Sequence, residues 1–381
     1  MNTPKLQRNT NLEILRIIAM LFIVAHHFAV NGFNDMTFVI SNYNNYALYF
    51  LGILGKMGVV IFIFISAYFM IDSKFTFRKL LVLGGEVYFY TLSFLVIFLV
   101  FLTPAAPITM ETWVLSLLPI SHSAYWFITD YIVLMLLSPF LNKVLKGLSK
   151  GTYLKLLVLV IILWSVYPTF TGKSFGFDPL IWFIVLYMMG SFIRLHVDID
   201  KISFKKLFIA MFASFAITYA ASATVAYLAM LFDVPGLMSG TITVTTLYKD
   251  LALENKLFTL ITSTAIFLIF LKRKEFSNKY INYAAGSVLG VYLIHENVFI
   301  RPYLWKTLFN VQSFYSSPNF ILFAVFTIIL IFIASIGIDI IRRLTVEKVW
   351  IWIIDNKLNN VPNWINDKYH RFKGKIEYYL K

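Results

Sequence analysis

Ionisable side chains stand inside stretches of this chain that are otherwise built for lipid. In EILRIIAMLFIVAHH, residues 13–27, Glu13 and Arg16 sit where an apolar run begins, and His26 and His27 where it ends. A guanidinium offers a fixed cation, a carboxylate pairs with it, and an imidazole can move a proton or ligate a metal. On an α-helix, eleven residues turn through about 1100°, to within ~20° of the start, and rise ~16.5 Å. Arg16 and His27 therefore share a face, Glu13 is within pairing reach of Arg16, and His26 points about 100° away from His27. Alone, Arg16 could snorkel to headgroups and His27 could rest in the interface. Two ionisable groups aligned on one apolar face instead imply a shared polar groove. Metal ligation fits poorly: adjacent histidines diverge on a helix, and no HExxH-type spacing occurs.

Three further stretches carry the same signal. YWFITDYIVLMLLSPFLN (125–142) opens with Tyr125 and Trp126 and buries Asp130 and Tyr131 one turn in. SVLGVYLIHENVFIRPYLW (287–305) holds His295 and Glu296 in mid-run, with Arg301 a turn and a half later. A lone histidine there would read as packing; beside Glu296, in a chain that already carries His27, it reads as functional. VVIFIFISAYFMIDSKFTFRK (59–79) ends at a basic corner of Lys74, Arg78 and Lys79.

The elements that must position these groups are transmembrane helices. Hydrophobic residues make up 59% of the 381 and charged residues 14%, against about 25% charged in an ordinary soluble domain. Apolar runs of bilayer-spanning length recur throughout and do not alternate, so the fold class is all-α and polytopic rather than β-barrel. Ten spans are expected, near 12–31, 49–71, 80–102, 124–141, 154–170, 178–194, 207–232, 257–271, 284–304 and 318–341. With the N-terminus inside, the alternate loops hold fifteen Lys and Arg on the inner side and four (Lys173, Lys249, Lys256 and Lys306) on the outer. That asymmetry places both termini in the cytoplasm. The first run is long, lacks a small-residue cleavage site and is followed by more spans, so it is read as retained rather than as a signal peptide.

Residues 1–341 form the expected membrane domain and 342–381 a basic, aromatic-containing cytoplasmic tail, either lying on the inner leaflet or solvated. The outer segments NGFNDMTFVISNYNNY, a polar lid, and 233–256 are the long connections. The absence of cysteine removes disulfides, thiolate nucleophiles and Cys-bound metals. A net charge of +14 spread over short loops reports orientation rather than nucleic-acid binding.

These residues together resemble the integral-membrane acyltransferase family 3, whose members O-acylate polysaccharides, peptidoglycan, lipids and related glycans. The family's first-span signature stands here as Glu13, Arg16 and His27. Its aromatic span start matches Trp126, Phe127, Tyr131 and Pro139. Its late GVYLIH matches Gly290 to His295, and ISAYF matches the second-span motif with Ala67 in place of glycine. The resemblance covers nearly the whole chain. It departs where many members carry an RxxR-like pair, replaced here by Lys74, Arg78 and Lys79. The extracytoplasmic esterase-like domain fused to some members is also missing from these residues.

The resemblance implies transfer of an acyl group, acetyl first and succinyl second, from cytoplasmic acyl-CoA to a hydroxyl of a cell-surface or lipid-linked polysaccharide, such as an exopolysaccharide or capsule. It implies no bound cofactor, and membrane lipid as the surroundings. Lys74, Arg78 and Lys79 would hold the donor phosphates, with the pantetheine arm running from Arg16 toward His27. His27 would act as general base, or less favourably carry the acyl group itself; Glu13, Arg16, His295 and Glu296 complete the catalytic set. Tyr125, Trp126, Asp130, Tyr131 and His26 would line the groove or acceptor site. Richness in Lys, Asn, Ile and Phe points to an AT-rich bacterium and hence to a bacterial plasma membrane. A flippase or transporter of lipid-linked sugars is the rival, though internal repeats and paired broken helices are not evident. A glycan polymerase or ligase would carry a large charged outer loop, which these short connections are not.

Overall fold

The computed structural model describes residues 8–33, 43–101, 109–231, 251–356, 367, 368 and 371. Among these the fold is all-α, and the chain is a multi-pass membrane protein. Eight helices are long and apolar enough to cross a bilayer. They are α1 (Thr10–Asn31), α2 (Asn44–Met70), α3 (Phe77–Phe101), α5 (Trp126–Gly147), α6 (Lys150–Thr171), α7 (Pro179–His196), α8 (Phe204–Leu231) and α12 (Phe320–Leu344). A short α4 (Met110–Leu117), started by a Thr109–Thr112 capping box, lies between α3 and α5. Residues 34–42 of the polar lid and most of the 233–256 connection fall outside the described residues, as does most of the tail.

The two remaining expected spans take other forms. The eighth is α9 (Leu257–Lys272), only 16 residues long. The ninth, expected as one run over 284–304, is broken into α10 (Lys279–Ala285) and α11 (Val288–His295), followed by irregular turns. Breaking a helix orphans carbonyls, and at membrane depth these need protein partners. Arg343 supplies them at the first break, donating to Tyr283 O at 2.8 Å and to Ser287 Oγ at 2.9 Å. At the second, Tyr125 Oη donates to Leu293 O at 2.8 Å, and Asn297 Nδ2 donates to Tyr125 Oη at 3.0 Å.

α1 and α2 form the central pair, and small residues set how closely they approach. A Cβ on Gly58 would sit 2.6 Å from Ala19 O, and one on Gly55 would collide with the His26 ring. These two contacts fix an antiparallel register that places Lys56 level with His26. The start of α1 is knit to α10 and to the connection before it: Thr10 Oγ1 donates to Asn282 Oδ1 at 2.8 Å, and Asn11 Nδ2 donates to Lys274 O at 2.9 Å.

α6 contains a π-helical turn, Ile162–Val166, just before Pro168. Proline has no N–H to give to the carbonyl four residues back, so Trp164 O needs another donor. Asn255 Nδ2 takes that place at 3.1 Å, while Lys256 Nζ donates to Pro168 O at 2.8 Å. The missing proline hydrogen bond thus anchors the buried stretch Glu254–Asn255–Lys256.

α12 runs to Leu344, past the expected boundary at 341, and α13 (Val346–Asn356) folds back on α3. Trp350 Nε1 donates to Leu81 O at 2.9 Å. Buried Arg342 ties three elements together through Glu86 at 3.2 Å, Asp339 at 2.7 Å and Glu347 at 2.8 Å.

Candidate active site

A cavity of about 380 Å³ runs beside α1 and takes in Arg16, Met20, Ile23 and His27, one face of that helix. Arg8 joins Arg16 at one end; His26, His27 and Lys56 line it farther along. Trp126, Phe127, Tyr131 and Tyr292 supply aromatic wall. Glu13 is buried beneath Arg16, with 3.3 Å between the charged groups.

At the histidine end, α1 meets the second helix break. His27 Nδ1 lies 2.8 Å from His295 Nε2 and 3.3 Å from Glu296 Oε1. His295 Nδ1 lies 2.5 Å from Val291 O, a carbonyl that can only accept. That bond puts the His295 proton on Nδ1 and makes its Nε2 an acceptor. The proton between the two rings must then sit on His27 Nδ1, which leaves His27 Nε2 with its lone pair. Glu296 is held in turn by Asn31 Nδ2 at 2.7 Å and by Arg301 at 3.4 Å. The arrangement is a base, an orienting ring and a carboxylate able to stabilise an imidazolium.

His27, His295 and Glu296 also bring three ligand-type atoms within 4.8 Å of one another. Two nitrogens about 2.0–2.1 Å from one tetrahedral zinc stand roughly 3.3 Å apart. The 2.8 Å between the rings is a hydrogen-bond distance.

The family model described as an acyltransferase domain matches residues 9–339, which include every residue of this cluster. The chain belongs to acyltransferase family 3. No curated protein and no solved structure matches it. The protein is therefore a membrane acyltransferase, and the cavity is the place to look for its chemistry.

The remaining expected residues divide between that cavity and elsewhere. Trp126 and Tyr131 line it, and so does His26, whose Nδ1 lies 2.5 Å from Gly52 O. Tyr125 stands behind the wall as a support for α11, and half-buried Asp130 is not among the lining residues. The basic corner is not brought to the cavity either. Arg78 grips Asp355 of α13 side-on at 2.7 and 2.9 Å, and Lys79 Nζ donates to Lys74 O at 3.2 Å.

Sequence reasoning missed Lys56, which pairs with buried Glu254 at 2.9 Å. A lysine in the middle of an apolar run was a usable signal, because such a group needs a partner or a cavity. Asn31 was also missed, being one of several asparagines near that end of α1.

Proposed function

We propose that this protein moves an acyl group, acetyl first, from acyl-CoA to a hydroxyl of a cell-surface or lipid-linked glycan in a bacterial plasma membrane. The observation that carries the reading is the single cavity joining Arg8 and Arg16 to a His27 whose tautomer is fixed by His295. The donor enters at the arginine end, where two guanidinium groups suit phosphate oxygens. Its acyl-thioester reaches toward His27 along a wall that is mostly apolar and aromatic.

A sugar hydroxyl is a poor nucleophile until its proton is taken. His27 Nε2 accepts that proton as the oxygen attacks the thioester carbonyl carbon, and Glu296 stabilises the imidazolium. When the tetrahedral intermediate collapses, the carbon–sulfur bond breaks and the imidazolium returns its proton to the leaving CoA thiolate. Direct transfer keeps His27 as a base throughout and needs no covalent enzyme intermediate.

The test is label transfer from radiolabelled acetyl-CoA into surface glycan by membranes carrying the wild-type protein or His27→Ala. Transfer that requires His27 supports the reading. Wild-type membranes that export lipid-linked sugar but leave the donor untouched would overturn it.

A further inference from the structure

Thioester transfer puts negative charge on the carbonyl oxygen, and a site that accelerates it needs a donor or cation aimed there. The groups around His27 narrow the choice. His26 commits an Nδ1 proton to Gly52 O, which can only accept, so in the neutral ring His26 Nε2 is an acceptor. Tyr131 Oη points at Met70 Sδ. Glu296 and His295 are taken up with the His27 ring.

Lys56 remains. It lines the cavity with His27, and the antiparallel register of α1 and α2 puts it level with His26. Its ammonium is held by Glu254 at 2.9 Å, and the side chain is still a fifth exposed. Glu254 is itself fixed by the Asn255 and Lys256 anchors on α6. A lysine has three N–H donors, so one can face the carboxylate while others face the cavity.

We propose that the Lys56 ammonium stabilises the oxyanion of the acyl-transfer intermediate, with Glu254 as the residue that positions it. The inference rests on the acyl-transfer reading above. As the acceptor oxygen bonds to the carbonyl carbon, the C=O π pair moves onto oxygen beside Lys56. On collapse that pair re-forms the double bond and the thiolate leaves.

The experiment uses the full chain in membranes that contain the glycan acceptor, with Lys56→Gln, Lys56→Arg and Glu254→Gln. Removing an oxyanion donor costs about 10²–10³ in kcat. Lys56→Gln should therefore lose roughly 100-fold in kcat for acetyl transfer, while CoA binding to the purified protein stays unchanged. Lys56→Arg should retain most of the rate, and Glu254→Gln should fall between the two. The Lys56→Gln deficit should shrink with chloroacetyl-CoA, whose carbonyl needs less help; a purely architectural lysine would give the same deficit with both donors. A folded Lys56→Gln protein with near-normal kcat overturns the proposal, as does a loss confined to donor affinity. Should Lys56→Gln fail to fold, the Lys56→Gln/Glu254→Gln pair, which strands no charge, is read the same way. A wild-type protein that never consumes acetyl-CoA refutes the function itself, a separate outcome.

Discussion

His27 Nδ1 and His295 Nε2 lie 2.8 Å apart across 268 positions of sequence. Because His295 Nδ1 is committed to Val291 O, this contact decides which His27 nitrogen can accept a proton. His27→Ala should abolish the base and lower kcat by about 10²–10⁴-fold. His295→Phe should lower kcat less, leaving donor KM unchanged, because it frees the ring without removing it. Glu296→Gln keeps a partner for Asn31 and loses the charge, so it too should act on kcat. Steady-state label transfer across donor concentrations separates these outcomes. An unchanged kcat in His295→Phe would refute the tautomer argument.

Gly55 should tolerate no side chain. A Cβ there would run into the His26 ring, and overpacking at such a contact costs about 1–3 kcal/mol. Gly55→Ala should lower the thermal midpoint and, by shifting the end of α1, reduce kcat. Gly151, with open space around its Cβ position, is the control: Gly151→Ala should leave both unchanged.

How much of this was legible in the sequence follows from the range of each interaction. The helices were readable because span length and apolarity are local properties. So was the shared face of Arg16 and His27, which follows from helical periodicity alone. The pairing of His27 with His295 was not, since it depends on how α11 docks against α1. The break at Gly286–Ser287 was hidden inside a run whose composition suits a continuous span, and the partner that makes it tolerable, Arg343, lies 56 positions from Ser287. The same limit applies to Lys74, Arg78 and Lys79. Their charge was visible, but Asp355, 277 positions from Arg78, was the partner no local pattern could name.

The basic corner and the cavity mouth should therefore separate in donor binding. Arg78→Gln/Lys79→Gln should leave donor KM unchanged and loosen α13, because Arg78 is spent on Asp355. Arg8→Gln and Arg16→Gln should raise it, because both line the cavity. Titration of each purified variant with CoA checks this. A donor affinity that falls only in the Arg78/Lys79 variant would move the donor site to the α3–α13 corner.

Asp72 joins three helices: it follows α2 and meets Arg194 of α7 at 3.0 Å and Lys146 of α5 at 3.2 Å. Hydrogen bonding from Arg194, with Lys146 adding to it, holds the carboxyl below its ordinary value. Stability from this group is full above the unfolded value of about 3.9 and is lost as pH falls through the lower folded value. The groups are nearly half exposed, so the contribution is under about 1 kcal/mol. Asp72→Asn should be slightly less stable at pH 7 and indistinguishable from wild type in strong acid. Thermal midpoints across that range test the sign.

Arg16 and Glu13 provide the sharpest test of the cavity. Glu13 is buried and lies 3.3 Å from Arg16, which is 29% exposed. Arg16→Ala strands the carboxylate, and breaking a fully buried pair costs about 3–5 kcal/mol. The exposure of Arg16 makes the loss here smaller. Adding Glu13→Gln should recover stability, since no uncompensated charge is left, yet activity should stay low because the cavity mouth has still lost its guanidinium. Arg16→Lys should keep the protein folded but weaken donor binding, because an ammonium lacks the planar fork that engages a carboxylate and a phosphate oxygen together. Thermal midpoints and CoA titration on the three variants distinguish the effects. If Arg16→Lys binds and transfers at the normal rate, any cation suffices at that position, and the guanidinium is no part of donor recognition.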